Sequence, residues 1–295
     1  MTNPVPTPHL VTVHPTPPPT LPPAGRTAFR AVLVIAAALV LLTGIGGLTA
    51  AAVGIGNTRV IADAQPLPAS MHTLTIDTGE IPMAVRIESD DAAREPRVEM
   101  RFVSASRGGE QALDITPGPD TRIALRGESP GWLEWARTGE LTVVVPPQVG
   151  EQLSVNTFQQ FGVLHVDADL DQLTARNTGG AVILDGSARS IDVEVSHGAV
   201  VDEDRILVRE SFTANVIDGY ISVDFRDVAP RTVEAVTSDG DITLRLPGDG
   251  PFLVDASAGP DGTVVRVPLA RTAADAESVI TARSVNGEVV IGPSL

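Results

Sequence analysis

The sequence predicts an all-β protein, a β-solenoid carried on a single transmembrane helix near the N-terminus. Three observations predict this fold. One early stretch is apolar and uncharged, most of the later chain alternates apolar and polar residues, and glycines recur about every 20 residues in the second half. Alternation with period two puts apolar side chains on one face of a strand, whereas helical periodicity is weak throughout.

The composition excludes several kinds of site. The chain has 295 residues, a formal net charge of −16, no Cys and no Lys, so its 21 basic residues are all Arg. Without Cys there is no disulfide, thiolate metal site or Cys nucleophile. A phosphate-binding glycine loop needs a following Lys, and nucleic-acid binding needs clustered cations. We therefore expect no nucleic-acid partner and no cofactor.

Residues 1–30 are rich in Pro and Thr. Proline fits neither a helix interior nor a sheet ladder, so this segment is predicted to be a disordered tail. The alternative is that the tail is a ligand for a proline-recognising domain.

Residues 31–55 contain no charged residue and consist mostly of Ala, Val, Leu, Ile and Gly. A spanning helix needs roughly 20 apolar residues, so this stretch predicts a transmembrane helix in contact with the lipid bilayer. Arg26 and Arg30 precede it, which predicts a cytoplasmic N-terminus and an extracellular C-terminal domain. Ala62-Asp63-Ala64 resembles a signal-peptide cleavage site, but the apolar run is longer than a signal peptide's.

The rest of the chain divides into three predicted segments. Residues 56–68 contain two prolines and are predicted to form a stalk. Residues 69–150 carry short alternating runs and are predicted to be an irregular β entry region. Residues 151–295 carry the repeat and are predicted to form the solenoid.

The repeat consists of a strand, a turn ending in glycine, and a second strand. The glycines are spaced by 18, 18, 21, 21, 22 and 25 residues. Glycine suits such turns because it reaches positive φ without steric cost. The predicted structural turn glycines are Gly162, Gly180, Gly198, Gly219, Gly240, Gly262 and Gly287.

Two arrangements fit this repeat. A chain of hairpins is one, because Asp-Gly and Asn-Gly favour tight hairpin turns. A solenoid is the other, in which each unit forms one coil stacked on the next. The solenoid is favoured because about 20 residues match one coil and stacking explains why equivalent positions stay apolar.

The repeat also resembles a known family. Leu141–Pro147, followed by the strand and glycine units, resembles the bacterial putative-adhesin family of unknown function, also called the toastrack family, and Thr237–Leu244 is similar to its recurrent unit. The resemblance implies an envelope protein with a right-handed β-helix-like stack, and it supplies no catalytic residues. The longer turns at 156–161 and 257–261 depart from the family pattern and are expected to bulge.

Few residues suggest chemistry. His165 and His197 occupy different points of their units, so no metal site is predicted from the histidines. Asp218, Asp239 and Asp261 each precede a turn glycine. If the coils stack, these carboxylates could form a column that binds calcium, but aspartate before glycine is also ordinary turn chemistry, which we favour.

The expected function is that of a non-enzymatic, membrane-anchored envelope module, an adhesin or an accessory binding domain in envelope sensing. Its expected partner is an envelope protein or polymer. The alternative is a carbohydrate-active β-helix enzyme acting on an envelope polysaccharide. That alternative requires carboxylates or arginines to converge beside Trp132 or Trp135, the two tryptophans of the chain.

Overall fold

The computed structural model describes residues 58–105, 112–126 and 139–294. The predicted tail (1–30) and transmembrane helix (31–55) lie outside these residues. Within the described part, the elements are β1 (Thr58–Pro66), β2 (Thr73–Gly79), β3 (Met83–Ser89), β4 (Arg97–Ala105), β5 (Ala112–Thr116), β6 (Asp120–Arg126), β7 (Gly139–Val145), α1 (Pro147–Gly150), β8 (Ser154–Asp202), β9 (Leu207–Asp224), β10 (Thr232–Asp239), β11 (Ile242–Leu246), β12 (Phe252–Ser257), β13 (Thr263–Val265), β14 (Ser278–Asn286) and β15 (Val289–Pro293).

All 15 of these strands belong to one hydrogen-bonded sheet, which folds into two ladders. The first ladder, face A, has the strand order β5-β6-β2-β8-β9-β10-β14-β12. The second, face B, has the order β1-β4-β7-β3-β8-β9-β11-β15-β13. Strands β8 and β9 contribute to both faces because they continue around the corner between them.

The long strand β8 winds around the stack. It pairs with β2 from Ser154, with β3 from Gly162 and with β9 from Ser187. One coil of the stack is therefore a segment on face A, a corner, a segment on face B and a return. The pairings of β8 with β2, β3 and β9 are all parallel. Hairpins would pair antiparallel across each turn, so the hairpin alternative is wrong for the repeat. The handedness of the winding stays a prediction.

The core lies between the faces and consists of aliphatic ladders. One ladder on face B takes the second residue after each corner, and all its members are at most 1% exposed: Val85, Leu164, Val182, Val200, Ile221, Ile242 and Val289. Fully burying each such side chain contributes roughly 1.5–3 kcal/mol. Stacking thus explains why equivalent positions stay apolar.

The coils at both ends are stacked out of chain order. At the N-terminal end, β6 and β7 pair in parallel outside β2 and β3, and antiparallel strands β5, β4 and β1 extend the edge. At the other end, the coil of β14 and β15 lies between that of β10 and β11 and that of β12 and β13.

Two predicted segments contain more regular structure than expected. Strand β1 begins at Thr58 inside the predicted stalk (56–68) and pairs with β4. Strands β2 and β3, inside the predicted entry region (69–150), already form a coil of the stack, because their alternating residues match the repeat's ladders. The bulge expected at 156–161 is not in that segment. The register shift between β2 and β8 lies in β2, where Thr78 is the extra residue between Asp77 and Gly79, while Phe158 and Gln159 are consecutive in register. Among the residues that the structure describes, no helix has the length and apolar character needed to cross a membrane.

Candidate functional site

Six of the seven predicted turn glycines lie in one column at the corner between the faces. An added Cβ at Gly180 would overlap the carbonyl oxygen of Gly162, and the same relation repeats up the stack, one glycine above the next. The column contains Gly162, Gly180, Gly198, Gly219, Gly240 and Gly287. Their role is steric, because the backbones of successive coils touch at the corner where a side chain would stand.

Gly262 is not part of this column. A Cβ added at Gly262 would meet nothing within 4 Å, although its φ is +90°. Gly287 takes the place above Gly240 instead, because the last coil of the chain is inserted there. Gly262 closes a turn, in which its own N–H bonds to the carbonyl of Gly259, and its carbonyl accepts the N–H of Val289 in the neighbouring coil.

The stack does not bring Asp218, Asp239 and Asp261 into the column that the calcium alternative required. Asp218 and Asp239 are adjacent in register, but their neighbours are His197 on one side and Asn286 on the other. Asp261 belongs to the coil beyond, next to Gly262, and does not join them. Asn286 donates its side-chain N–H to Asp239 at 2.9 Å, which accounts for that carboxylate without calcium.

Polar side chains inside the stack cap the corner carbonyls. Three residues before its glycine, Gln159 donates to the carbonyl of Met83, Asn177 to that of Gly162 and Ser284 to that of Gly240. All three donors are at most 5% exposed. These bonds satisfy buried carbonyls at the point where the strands change direction.

The outer surface beside the column is apolar at intervals. We define the corner strip as the side chains that are not buried among the four residues before each column glycine: 158–161, 176–179, 194–197, 215–218, 236–239 and 283–286. Six large hydrophobic side chains are exposed in the described part of the chain, and four lie on this strip: Phe158, Phe161, Ile217 and Val285. Phe161 lies across Gly179, where an added Cβ would stand 3.0 Å from its ring.

A groove of about 330 Å³ opens on the strip at Phe158. Its wall includes the amide of Gln160 and the hydroxyls of Thr178 and Ser196. Arg176 also lines it and contacts Asp192 at 2.9 Å and Glu194 at 3.1 Å. The hydrogen bond to Asp192 raises the pKa of Arg176, so this guanidinium is held charged and paired. The groove thus combines one aromatic face with neutral polar groups and charges that already have partners.

A second cluster lies on face B, away from the corner. Nε2 of His165 is 2.9 Å from Oδ2 of Asp185 and 3.7 Å from Oε2 of Glu203. These are the only three His, Asp or Glu side chains within the described ranges whose ligand atoms all lie within 4.8 Å of one another. The three residues come from three successive coils, so stacking brings them together.

A change in coil length produces this cluster. The glycine spacing rises from 18 to 21 residues after Gly198, and the chain turns outward at 202–205, where Arg205 has a φ of 52°. Asp202 stands at the position that Leu184 occupies in the preceding coil, and its burial raises the pKa of its carboxyl. Its Oδ2 accepts the N–H of Arg205 and so closes the turn.

Sequence reasoning missed the His165 cluster because it compared histidines only with each other. His165 and His197 do not meet. The stronger signal in the sequence is the acidic run 202–204, in the coil where the glycine spacing changes. Trp132 and Trp135, on which the enzymatic alternative depended, lie outside the described residues.

No protein-family model matches the chain, and no curated protein is similar to it in sequence. Solved structures are similar to it at low identity. A putative adhesin from Parabacteroides merdae ATCC 43184 is 10% identical with a TM-score of 0.44, over 79% of this chain and 96% of that one. A putative cell adhesion protein from Clostridium sporogenes ATCC 15579 is 9% identical with a TM-score of 0.34, over 80% and 100%.

A putative lipid binding protein from Parabacteroides distasonis ATCC 8503 is 10% identical with a TM-score of 0.38, over 82% of this chain and 96% of that one. The similar structures thus include proteins described as putative adhesins from several bacteria, the family that the repeat resembles.

Proposed function

We propose that this chain is a non-enzymatic binding module of the cell envelope that holds an extended, uncharged polysaccharide along the corner strip. The observation that carries the proposal is the concentration of exposed apolar side chains on this one edge of a regular stack. Exposed apolar groups clustered on a rigid face are typical of interaction sites. A stack of coils also offers a long, repetitive edge that suits an extended partner.

The chemistry of the groove favours a sugar chain over a protein. Phe158 is 44% exposed and offers an aromatic face, and Gln160, Thr178 and Ser196 beside it donate and accept hydrogen bonds. A sugar ring presents the same combination of an apolar face and hydroxyl groups. The net charge of −16 disfavours an acidic polymer, so the proposed ligand is neutral.

Co-sedimentation of the full-length protein, in detergent, with insoluble neutral wall polysaccharide tests this proposal. We expect Phe158→Ala to weaken binding at least tenfold. Leu269→Ala is the matched control, because Leu269 is 61% exposed but lies off the strip, and it should bind as the parent does. Equal binding by the two variants, or capture of envelope proteins and no polysaccharide, would overturn the proposal.

The enzymatic alternative is tested in the same assay. A glycoside hydrolase needs two carboxyl groups free to act as acid and as base or nucleophile. Two carboxylates line the groove, and both are paired: Asp77 contacts Arg122 at 2.7 Å and Glu194 contacts Arg176 at 3.1 Å. We expect no release of reducing ends during incubation, and release that Glu194→Gln abolishes would contradict the non-enzymatic assignment.

The proposal includes the predicted anchor. Residues 31–55 would span the cell membrane once, with the N-terminus in the cytoplasm and the β stack outside, where an envelope polymer is accessible. Tags at both ends, followed by protease treatment of intact cells, test this arrangement. We expect loss of the C-terminal tag and survival of the N-terminal tag, and the reverse pattern would overturn it.

A further inference from the structure

The cluster on face B contains a side chain that packing does not explain. His165 is 7% exposed, and its Nδ1 has no hydrogen-bond partner within the described residues. The next coil has Ile183 at the equivalent position, three residues after its glycine, and that side chain is 2% exposed. An aliphatic residue would fill this place without the cost of burying an imidazole, so the histidine requires another explanation.

The carboxylate beside the imidazole is held in a fixed orientation. Oδ1 of Asp185 accepts the backbone N–H of Glu203 at 3.2 Å and that of Asp204 at 2.8 Å. Its other oxygen, Oδ2, is thereby directed at Nε2 of His165. Hydrogen bonds that fix a ligand's orientation in this way are typical of metal sites.

From these contacts we propose that His165, Asp185 and Glu203 bind one zinc ion. Two ligand atoms about 2.1 Å from a tetrahedral zinc ion stand roughly 3.4 Å apart. The observed separations from Nε2, 2.9 Å and 3.7 Å, lie on either side of that value. Small side-chain rotations would therefore complete the coordination.

The ligand types select the metal. One imidazole nitrogen with two carboxylates suits zinc, whereas calcium takes six to eight oxygen ligands and no nitrogen. The side chain of Glu203 is 58% exposed, so the fourth position would lie on the solvent side and take water. The ion would link the coils that begin at Gly162, Gly180 and Gly198.

Isothermal titration of the full-length, metal-stripped protein with zinc chloride tests the site. The parent should carry His9→Ala and His14→Ala, so that the two histidines of the tail do not contribute. We expect one zinc ion per chain and a higher melting temperature with zinc. The cobalt-substituted protein should show the visible absorption bands of a tetrahedral site.

Glu203→Gln and Asp204→Asn form the matched pair, because both are exposed neighbours and only Glu203 directs its carboxylate at the cluster. Glu203→Gln should weaken zinc binding at least tenfold and abolish the rise in melting temperature, whereas Asp204→Asn and His197→Ala should leave both unchanged. Absence of stoichiometric binding, or equal losses in Glu203→Gln and Asp204→Asn, would overturn the proposal. Because Glu203 is exposed, its substitution leaves folding intact even if His165→Gln does not.

Discussion

Gly198→Ala adds one methyl group at a crowded point in the middle of the glycine column. The new Cβ would lie 1.6 Å from the carbonyl oxygen of Gly180, and φ at this position is +150°. Real Cβ atoms essentially never come closer than 3.0 Å to another heavy atom, so the two coils must separate by at least 1.4 Å at this corner. Hydrogen bonds of about 2.9 Å do not survive such a displacement.

The loss of stability follows from the hydrogen bonds that this displacement breaks. Leaving two buried backbone groups unsatisfied costs about 2–6 kcal/mol, and the unfavourable φ adds about 1–2 kcal/mol. We therefore expect Gly198→Ala to lower the free energy of unfolding by about 3–8 kcal/mol, a large part of the 5–15 kcal/mol typical of a folded domain. The measurement is equilibrium urea unfolding of the full-length protein, followed by circular dichroism.

Substitutions at two further glycines separate the cost of steric overlap from the cost of backbone strain. Gly262 has a φ of +90° but open space around it, so Gly262→Ala should cost only the strain, about 1–2 kcal/mol. Gly292 has open space and no positive φ, so Gly292→Ala should be neutral or stabilise by up to about 1 kcal/mol. If Gly198→Ala lies within about 1 kcal/mol of Gly262→Ala, backbone contact at the corner is not what excludes side chains.

The remaining predictions concern charges and the core. Arg189→Ala removes contacts of 2.7 Å to Asp171 and 2.9 Å to Glu210. Because Arg189 lowers the pKa of Asp171, we expect the variant to have a lower melting temperature than the parent at pH 7. This difference should shrink below about pH 4, where the aspartate becomes protonated. Asp202→Asn should raise the melting temperature at pH 7 but not at pH 3, because a raised carboxyl pKa costs stability only once the pH exceeds the unfolded value. Phe212→Ala empties a fully buried position and should cost about 3–5 kcal/mol in urea unfolding.

Each of these has a contradicting outcome. A loss in Arg189→Ala that persists unchanged at pH 2 would mean that the side chain packs rather than pairs. If Asp202→Asn raises the melting temperature equally at both pH values, the charge on the carboxyl group is not the cause of the stabilisation. A cost below about 1 kcal/mol for Phe212→Ala would mean that the stack collapses around the vacated space.

The stacking of the coils could be predicted from the sequence because it depends on period alone. Glycines 18 to 22 residues apart, each followed by alternating apolar residues, favour parallel coils over hairpins because about 20 residues match one coil. The order of the last two coils could not be predicted, because spacings of 22 residues to Gly262 and 25 to Gly287 do not say which coil stacks on β10 and β11. The structure selects the second, because Ser284 donates to the carbonyl of Gly240 and Asn286 to Asp239.

The candidate site was harder to predict for a physical reason. His165, Asp185 and Glu203 are separated by 20 and 18 residues, so they meet only when the coils are aligned and the outward turn after Gly198 is included. The corner strip was likewise hidden, because Phe158 and Ile217 are unremarkable until the column shows that they share an edge. The repeat period predicts which positions stack on one another, whereas local changes in coil length decide which of those side chains come into contact.

The insertion of the last coil has a consequence for synthesis on the ribosome. Strand β12 pairs in parallel with β14, and β13 with β15, so neither pairing can form until β14 and β15 have been synthesised. Coils up to β11 can assemble as they are made, but the segment 252–267 must wait for β14 and β15 to insert beneath it. Until Ser278–Pro293 has been made, the nascent chain presents the open edge of β10 and β11 together with two strands that lack their partners.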